Sequence, residues 1–265
     1  MDLMTEPAAT TAATDSPRAA TLAGKAVLIT GAARRVGAAI AQAVHAAGAN
    51  VVLHYRSSAE EATDLARQLN DARPGSATLA QCDLLDGNAV PELAHTAATA
   101  FGGLDILVNN ASSFYPTPLG DIDEDDWNDL IGTNLKAPLF LAQAAAAALR
   151  ERGGLIVNLA DIHGLRPLRR HPVYCVAKAG LIMLTKSLAR ELGPRVRVNA
   201  IAPGPVMWPE GGVDAALRDE IIERTALKRI GSPEDVARAV LFFAAEAPFV
   251  TGQILAVDGG RSIGW

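Results

Sequence analysis

Residues 26–40 read Ala-Val-Leu-Ile-Thr-Gly-Ala-Ala-Arg-Arg-Val-Gly-Ala-Ala-Ile. A short apolar run meets a Gly-containing turn, and an Ala-rich stretch of helical character follows. Gly31 permits a tight turn directly after the strand, and Gly37 lets the helix pack close against it. The backbone N–H groups at such a helix start face outward and suit a pyrophosphate. Gly31, Arg34, Arg35 and Val36 are therefore candidate cofactor contacts. Glycine is common at the place that Arg35 fills, and the two guanidinium groups add positive charge where phosphate would lie. A Gly-rich turn of this kind also occurs with nothing bound. Its position at the head of a strand–turn–helix unit is what favours a dinucleotide.

The same alternation continues along the chain. Candidate strands are 26–30, 51–54, 77–81, 106–109, 155–159, 196–201 and 254–257. Candidate helices are 36–48, 59–70, 87–101, 124–149, 174–192, 214–224 and 233–245. The strands lack in/out alternation, as expected of parallel strands buried on both faces. Alternating strands and helices predict a single α/β domain of the Rossmann type. Its doubly wound parallel sheet would have about seven strands, with helices on both faces. Ser232-Pro233-Glu234-Asp235 carries a helix-start signature, and Gly193-Pro194 ends the helix before it.

Composition narrows the classes. The chain has 265 residues, 49% of them apolar, and a formal net charge of −5. That is too apolar for a disordered chain, and mild acidity gives no support for nucleic-acid binding. No apolar run approaches the roughly 18 residues of a membrane span. Two cysteines, Cys82 and Cys175, imply no disulfide framework and fit a reducing, cytoplasmic setting. Residues 1–22 read as a flexible tail and 23–265 as the domain. His163 and His171 lack metal-ligand spacing, so no metal is expected. Aromatics are scarce, with three Trp, three Tyr and six Phe, so each one in a polar stretch carries weight.

The second strand runs into His54-Tyr55-Arg56-Ser57-Ser58 with no acid before Glu60. An NAD site places a carboxylate there for the ribose 2′-hydroxyl; Arg56 and the serines suit a 2′-phosphate, hence NADPH. An exposed loop arginine is the competing reading of Arg56. Asp83, followed by Leu84, is placed either to bond an adenine amino group or to cap its own turn.

Tyr174 and Lys178 stand four apart and share a helix face. An ammonium near a phenol favours the phenolate, lowering the pKa from about 10 toward working pH. That describes a proton donor for a substrate reduced by hydride. In chain order these join the Gly-rich turn, Asn109-Asn110-Ala111, Asn134 and Pro203-Gly204. Over residues 24–262 this set resembles the short-chain dehydrogenase/reductase family. The resemblance implies a single-domain nicotinamide-dependent enzyme, a dimer or tetramer. In it Tyr174 is the proton donor, Lys178 binds the nicotinamide ribose, Asn134 holds a relay water and Asn109 supports the cofactor. Helices 124–149 and 174–192 are the implied subunit contacts.

One departure is informative. The family usually carries Ser thirteen residues before the Tyr; here Asp161 stands there. A carboxylate cannot donate to a carbonyl unless protonated, but it can orient Tyr174 and pass a proton to a ring nitrogen. Capping its own loop is the alternative role. This change, with Asn109-Asn110-Ala111-Ser112-Ser113-Phe114-Tyr115-Pro116, is similar to the pteridine reductase subgroup. That implies pterin stacking on Phe114 and contacts from Arg35, Ser113, Asp161 and Tyr174, with Trp208 in a lid over residues 204–216. Phe114 as a core or lid aromatic is the competing reading. A ketone or 3-oxoacyl reductase on the same scaffold is the alternative function.

Overall fold

The first strand, β1 (Ala26–Ile29), leads through residues 30–34 into α1 (Arg35–Ala46). From there strands and helices alternate in the computed structural model, which describes residues 21–208, 212 and 214–263. The strands are β2 (Asn50–Tyr55), β3 (Ala77–Gln81), β4 (Ile106–Asn109), β5 (Leu155–Leu159), β6 (Arg197–Pro203) and β7 (Ile254–Val257). The helices are α2 (Ala59–Ala72), α3 (Ala89–Ala100), α4 (Glu124–Ile131), α5 (Ala137–Arg152), α6 (Pro172–Leu192), α7 (Ala215–Glu223) and α8 (Pro233–Leu241). All seven strands are parallel, in the order β3-β2-β1-β4-β5-β6-β7. The expected doubly wound sheet is therefore present.

Both faces of the sheet are covered, which explains the unbroken apolar runs. Val27, Ile29, Val51, Leu53 and Val108 face Ile40, Val44, Leu65 and Val240 of α1, α2 and α8. Leu28, Val52, Leu107, Ile156 and Val198 face Leu93, Leu141, Leu149 and Leu192 of α3, α5 and α6. Only the edge strands β3 and β7 carry exposed positions.

The single helix expected over 124–149 is instead broken. A π turn, Gly132–Lys136, separates α4 from α5. Pro138 lies in the first turn of α5 and has no N–H for the Asn134 carbonyl four residues back. The Asn134 side chain also takes the Leu130 carbonyl (Nδ2 donating, 2.9 Å). A second π turn, Phe242–Glu246, ends the helix expected to run to 245. At α8, Pro233 occupies the first turn, and Ser232 N–H donates to Asp235 (2.9 Å), as its sequence signature implies.

Strand order reverses between β1 and β4, whose following loops part at the carboxyl edge of the sheet. Ligands of open α/β sheets bind in that crevice.

Candidate active site

A cleft of ≈ 380 Å³ opens at this edge. It is lined by Gly31, Arg34, Arg35, Val36, His54, Tyr55, Arg56, Ser57, Asp83, Leu84, Ala111 and Ser113, all expected to be cofactor contacts. The turn that shapes it is tightly constrained. Gly31 has φ +61, and a Cβ on Gly37 would sit 2.2 Å from the Gly31 carbonyl oxygen. Asn110 Nδ2 donates to the Thr30 (2.8 Å) and Gly31 (3.0 Å) carbonyls, sewing the β4 loop to the turn. His54 Nδ1 accepts the Gly31 N–H (3.1 Å), and Nε2 donates to the Cys82 carbonyl (3.2 Å). Burial pushes the His54 pKa down to about 4, against the opposing pull of Cys82 and Asp83. His54 is thus a neutral prop for the turn, not a cation for phosphate.

These features fit a dinucleotide. The N-terminus of α1 has no side-chain cap and no acid in its first turn, so its donors are left for an anion. Arg35 adopts φ +55, a left-handed conformation costly to a residue that carries a Cβ. Such strain points to a side chain kept for what it does. We expect Arg35→Gly to leave folding stability within about 1 kcal/mol, because the strain it relieves offsets glycine's entropy. The same change should weaken binding of the nicotinamide dinucleotide about tenfold through loss of a charge-assisted bond. Thermal melts beside fluorescence titration check both; a large fall in melting temperature would contradict the strain argument.

The chemistry-bearing side chains meet beyond β5. The Tyr174 hydroxyl donates to Asp161 Oδ2 (2.8 Å), while Asp161 Oδ1 accepts the His163 N–H (2.7 Å). Asp161 therefore caps its turn and holds Tyr174 at once, so the two readings of it are compatible. Lys178 is buried, and its Nζ donates to the Leu159 carbonyl (2.8 Å) and lies 5.6 Å from the Tyr174 ring centre. Burial lowers its pKa to about 8, with Asp161 acting in the opposite sense. The expectation that Lys178 lowers the Tyr174 pKa is not met. Burial first, then the Asp161 charge and hydrogen bond, hold the phenol well above its ordinary value, and a hydrogen bond from Ser112 only partly counters them.

The π turn brings Asn134 to this group. Its Oδ1 accepts the Ser112 hydroxyl (2.6 Å), and its Nδ2 donates to the Ser113 carbonyl (2.9 Å). Ser112, not singled out from sequence as a contact, is thus held by Asn134 close to Tyr174. The Ser113 hydroxyl, expected on the ligand side, donates to Asp129 Oδ1 (3.2 Å) because that carboxylate on α4 anchors the loop. Phe114 is 49% exposed; its edge-to-face contact with Tyr174 (4.8 Å, 75°) and its stack on His171 (4.8 Å, 9°) place it over the site. Only an aromatic-pair signal, invisible across 57 residues of sequence, could have marked His171.

Several expected contacts lie outside the cleft. Tyr174 and Lys178 form the group just described. Asn109 is turned inward, its Nδ2 donating to Asn158 Oδ1 (2.8 Å), so it props the sheet edge from behind. Pro203 and Gly204 end β6, where Gly204 abuts Asp258. Trp208 gives its carbonyl to Arg35 Nη2 (3.1 Å) and its ring to the Arg218 guanidinium (5.3 Å), so it is tied to the phosphate turn. Residues 209–211 and 213 of the expected lid, and 1–20 of the expected tail, lie outside the described residues.

A Gly-rich cleft at the switch point, beside a Tyr/Lys pair on one helix, defines a nicotinamide-dependent oxidoreductase. The family profile described as enoyl-(acyl carrier protein) reductase matches residues 31–262, and the chain belongs to the short-chain dehydrogenase/reductase family. Among its relatives is 3beta-hydroxysteroid dehydrogenase 1 of Eggerthella lenta, 37% identical over 249 residues, 91% of this chain and 95% of the relative. Pteridine reductase 1 of Leishmania tarentolae is 37% identical over 277 aligned positions, 89% and 96% of the two chains. The 3-oxoacyl-(acyl-carrier-protein) reductase of Staphylococcus epidermidis is 35% identical over 240, 89% and 98%.

Proposed function

We propose that the chain is an NADPH-dependent pteridine reductase acting on a dihydropterin, biopterin or dihydrofolate. The observation that carries this reading is the Asp161 carboxylate accepting the Tyr174 hydroxyl at 2.8 Å. A ketone reductase needs donors aimed at a carbonyl oxygen, and a carboxylate cannot be one. A ring nitrogen needs a proton delivered to it, and Asp161 with Tyr174 can pass one.

When bound, NADPH supplies the hydride. The chain's own residues do the rest. The Tyr174 phenol, held above its ordinary pKa by burial and by Asp161, is the proton source for the substrate nitrogen, and its hydroxyl must turn from Asp161 to give that proton. Asp161 fixes the phenol's direction, and Asn134 holds the Ser112 hydroxyl beside it. Phe114, backed on one face by His171, leaves the other to a planar heterocycle. Arg56, Ser57 and Ser58 line the cleft beyond β2 with no acid among them, which supports NADPH over NADH.

The similarity to 3-oxoacyl reductases favours a second reading, acyl-chain reduction. Cofactor oxidation with dihydrobiopterin, dihydrofolate and 3-oxoacyl substrates, run side by side, separates the two. We expect turnover of a pterin, with a lower KM for NADPH than for NADH. Turnover of the acyl substrates alone would defeat the reading.

We further propose a homo-oligomer in a cytoplasmic setting. Leu139 and Phe140 of α5, and Val176 and Met183 of α6, are large exposed apolar side chains on the faces expected to meet. The two free thiols, Cys82 and Cys175, fit a reducing compartment.

A further inference from the structure

Residues 165–171 read Leu-Arg-Pro-Leu-Arg-Arg-His, three guanidinium groups and an imidazole without a carboxylate, in a chain of net charge −5. The fold sets this loop on the rim of the site. The Arg170 carbonyl accepts the Thr117 N–H (2.6 Å), fastening it to the loop that carries Phe114. His171 stacks on Phe114, and Tyr174 follows in the first turns of α6. Arg170 holds φ +67, one of three left-handed non-glycine residues described, and Arg35 in the phosphate turn is another. Arg169 and Arg170 are exposed, and among the described residues neither guanidinium has an ion-pair or hydrogen-bond partner. The Asp161 carboxylate of the site has its oxygens engaged by Tyr174 and His163.

Two unpaired cations at the mouth of a site raise the local concentration of anions, an effect that salt screens. We infer that Arg169 and Arg170 select a planar substrate whose tail is anionic, bearing carboxylates or phosphate, over one with a neutral hydroxyalkyl tail. This rests on the pteridine reductase reading. The patch is too small to hold an acidic carrier protein on its own, since specific protein interfaces bury on the order of 1,000 Å² or more.

The test compares wild type with the Arg169→Gln/Arg170→Gln pair on dihydrofolate (carboxylate tail), dihydroneopterin triphosphate (phosphate tail) and dihydrobiopterin (neutral tail). Each is run at low and high salt. We expect the double variant to raise KM about tenfold for the anionic substrates, with kcat held, and high salt to produce the same rise in wild type. The dihydrobiopterin KM should move little in either experiment. A rise for one anionic substrate only names the source of the charge, carboxylate or phosphate, and supports the inference. Equal changes for neutral and anionic pterins would overturn it while leaving the pterin reading intact. No turnover of any pterin by wild type would overturn the functional reading itself.

Discussion

Replacing Asp161 by Ala should reduce kcat by about two to four orders of magnitude, the range by which a positioned acid–base group accelerates proton transfer. NADPH affinity should stay nearly constant, because Asp161 does not line the dinucleotide cleft. The carboxylate does two jobs, one on Tyr174 and one on the His163 N–H, and the second is structural. Asp161→Asn separates them. Its amide oxygen can still accept from His163, but its NH₂ would face the phenol oxygen and the charge is gone. It should fold like wild type and be nearly as inactive as the alanine variant. The pH behaviour follows from the sign of each contribution. Asp161 raises the Tyr174 pKa through its charge and its hydrogen bond, so both variants should ionise the phenol at lower pH than wild type. Ultraviolet difference titration reads this directly. An active Asp161→Ala enzyme, or a Tyr174 transition that does not move down, would remove Asp161 from the proton path.

Gly37→Ala tests the other half of the site. A methyl here would lie 2.2 Å from the Gly31 carbonyl and 2.7 Å from Asn110 Nδ2, and both are held by the hydrogen bonds that shape the turn. Neither neighbour is the free end of a flexible side chain, so the turn itself must shift. Overpacking of this kind destabilises by about 1–3 kcal/mol. Displacing two donors from a phosphate should raise the Kd for NADPH about a hundredfold. Chemical denaturation and isothermal titration measure the two effects; an alanine variant that binds NADPH normally would show that the close approach of α1 is not needed.

The strand–turn–helix pattern carried the fold because parallel strands covered on both faces write themselves as apolar runs; the order β3-β2-β1-β4-β5-β6-β7 is set by packing and is seen only in the structure. The Tyr174/Lys178 pair was legible because helical periodicity puts i and i+4 together. What stayed hidden depends on contacts between distant segments. Ser112 and Ser113 are neighbours in sequence, and only the packing of α4 decides that Asp129 takes the second while Asn134 takes the first. The π turn was hidden because the apolar spacing runs on through it; the weak helix formers Gly132, Thr133 and Asn134, with Pro138 beyond, were the available clues. The raised Tyr174 pKa stayed hidden because burial and the approach of Asp161 are properties of the folded site.

Tyr174 and Lys178 ride on a helix of 21 residues packed along β6, while Phe114, His171 and Arg170 belong to loops joined to one another by a stack and a single backbone bond. These walls are nonetheless tied to that helix, as jaws are to a tool: the His171 carbonyl accepts the Cys175 N–H (3.0 Å), and Phe114 meets the Tyr174 ring edge to face. Whatever presses on the jaws is thus felt by the tool itself, and a change in either wall carries a change at the phenol with it.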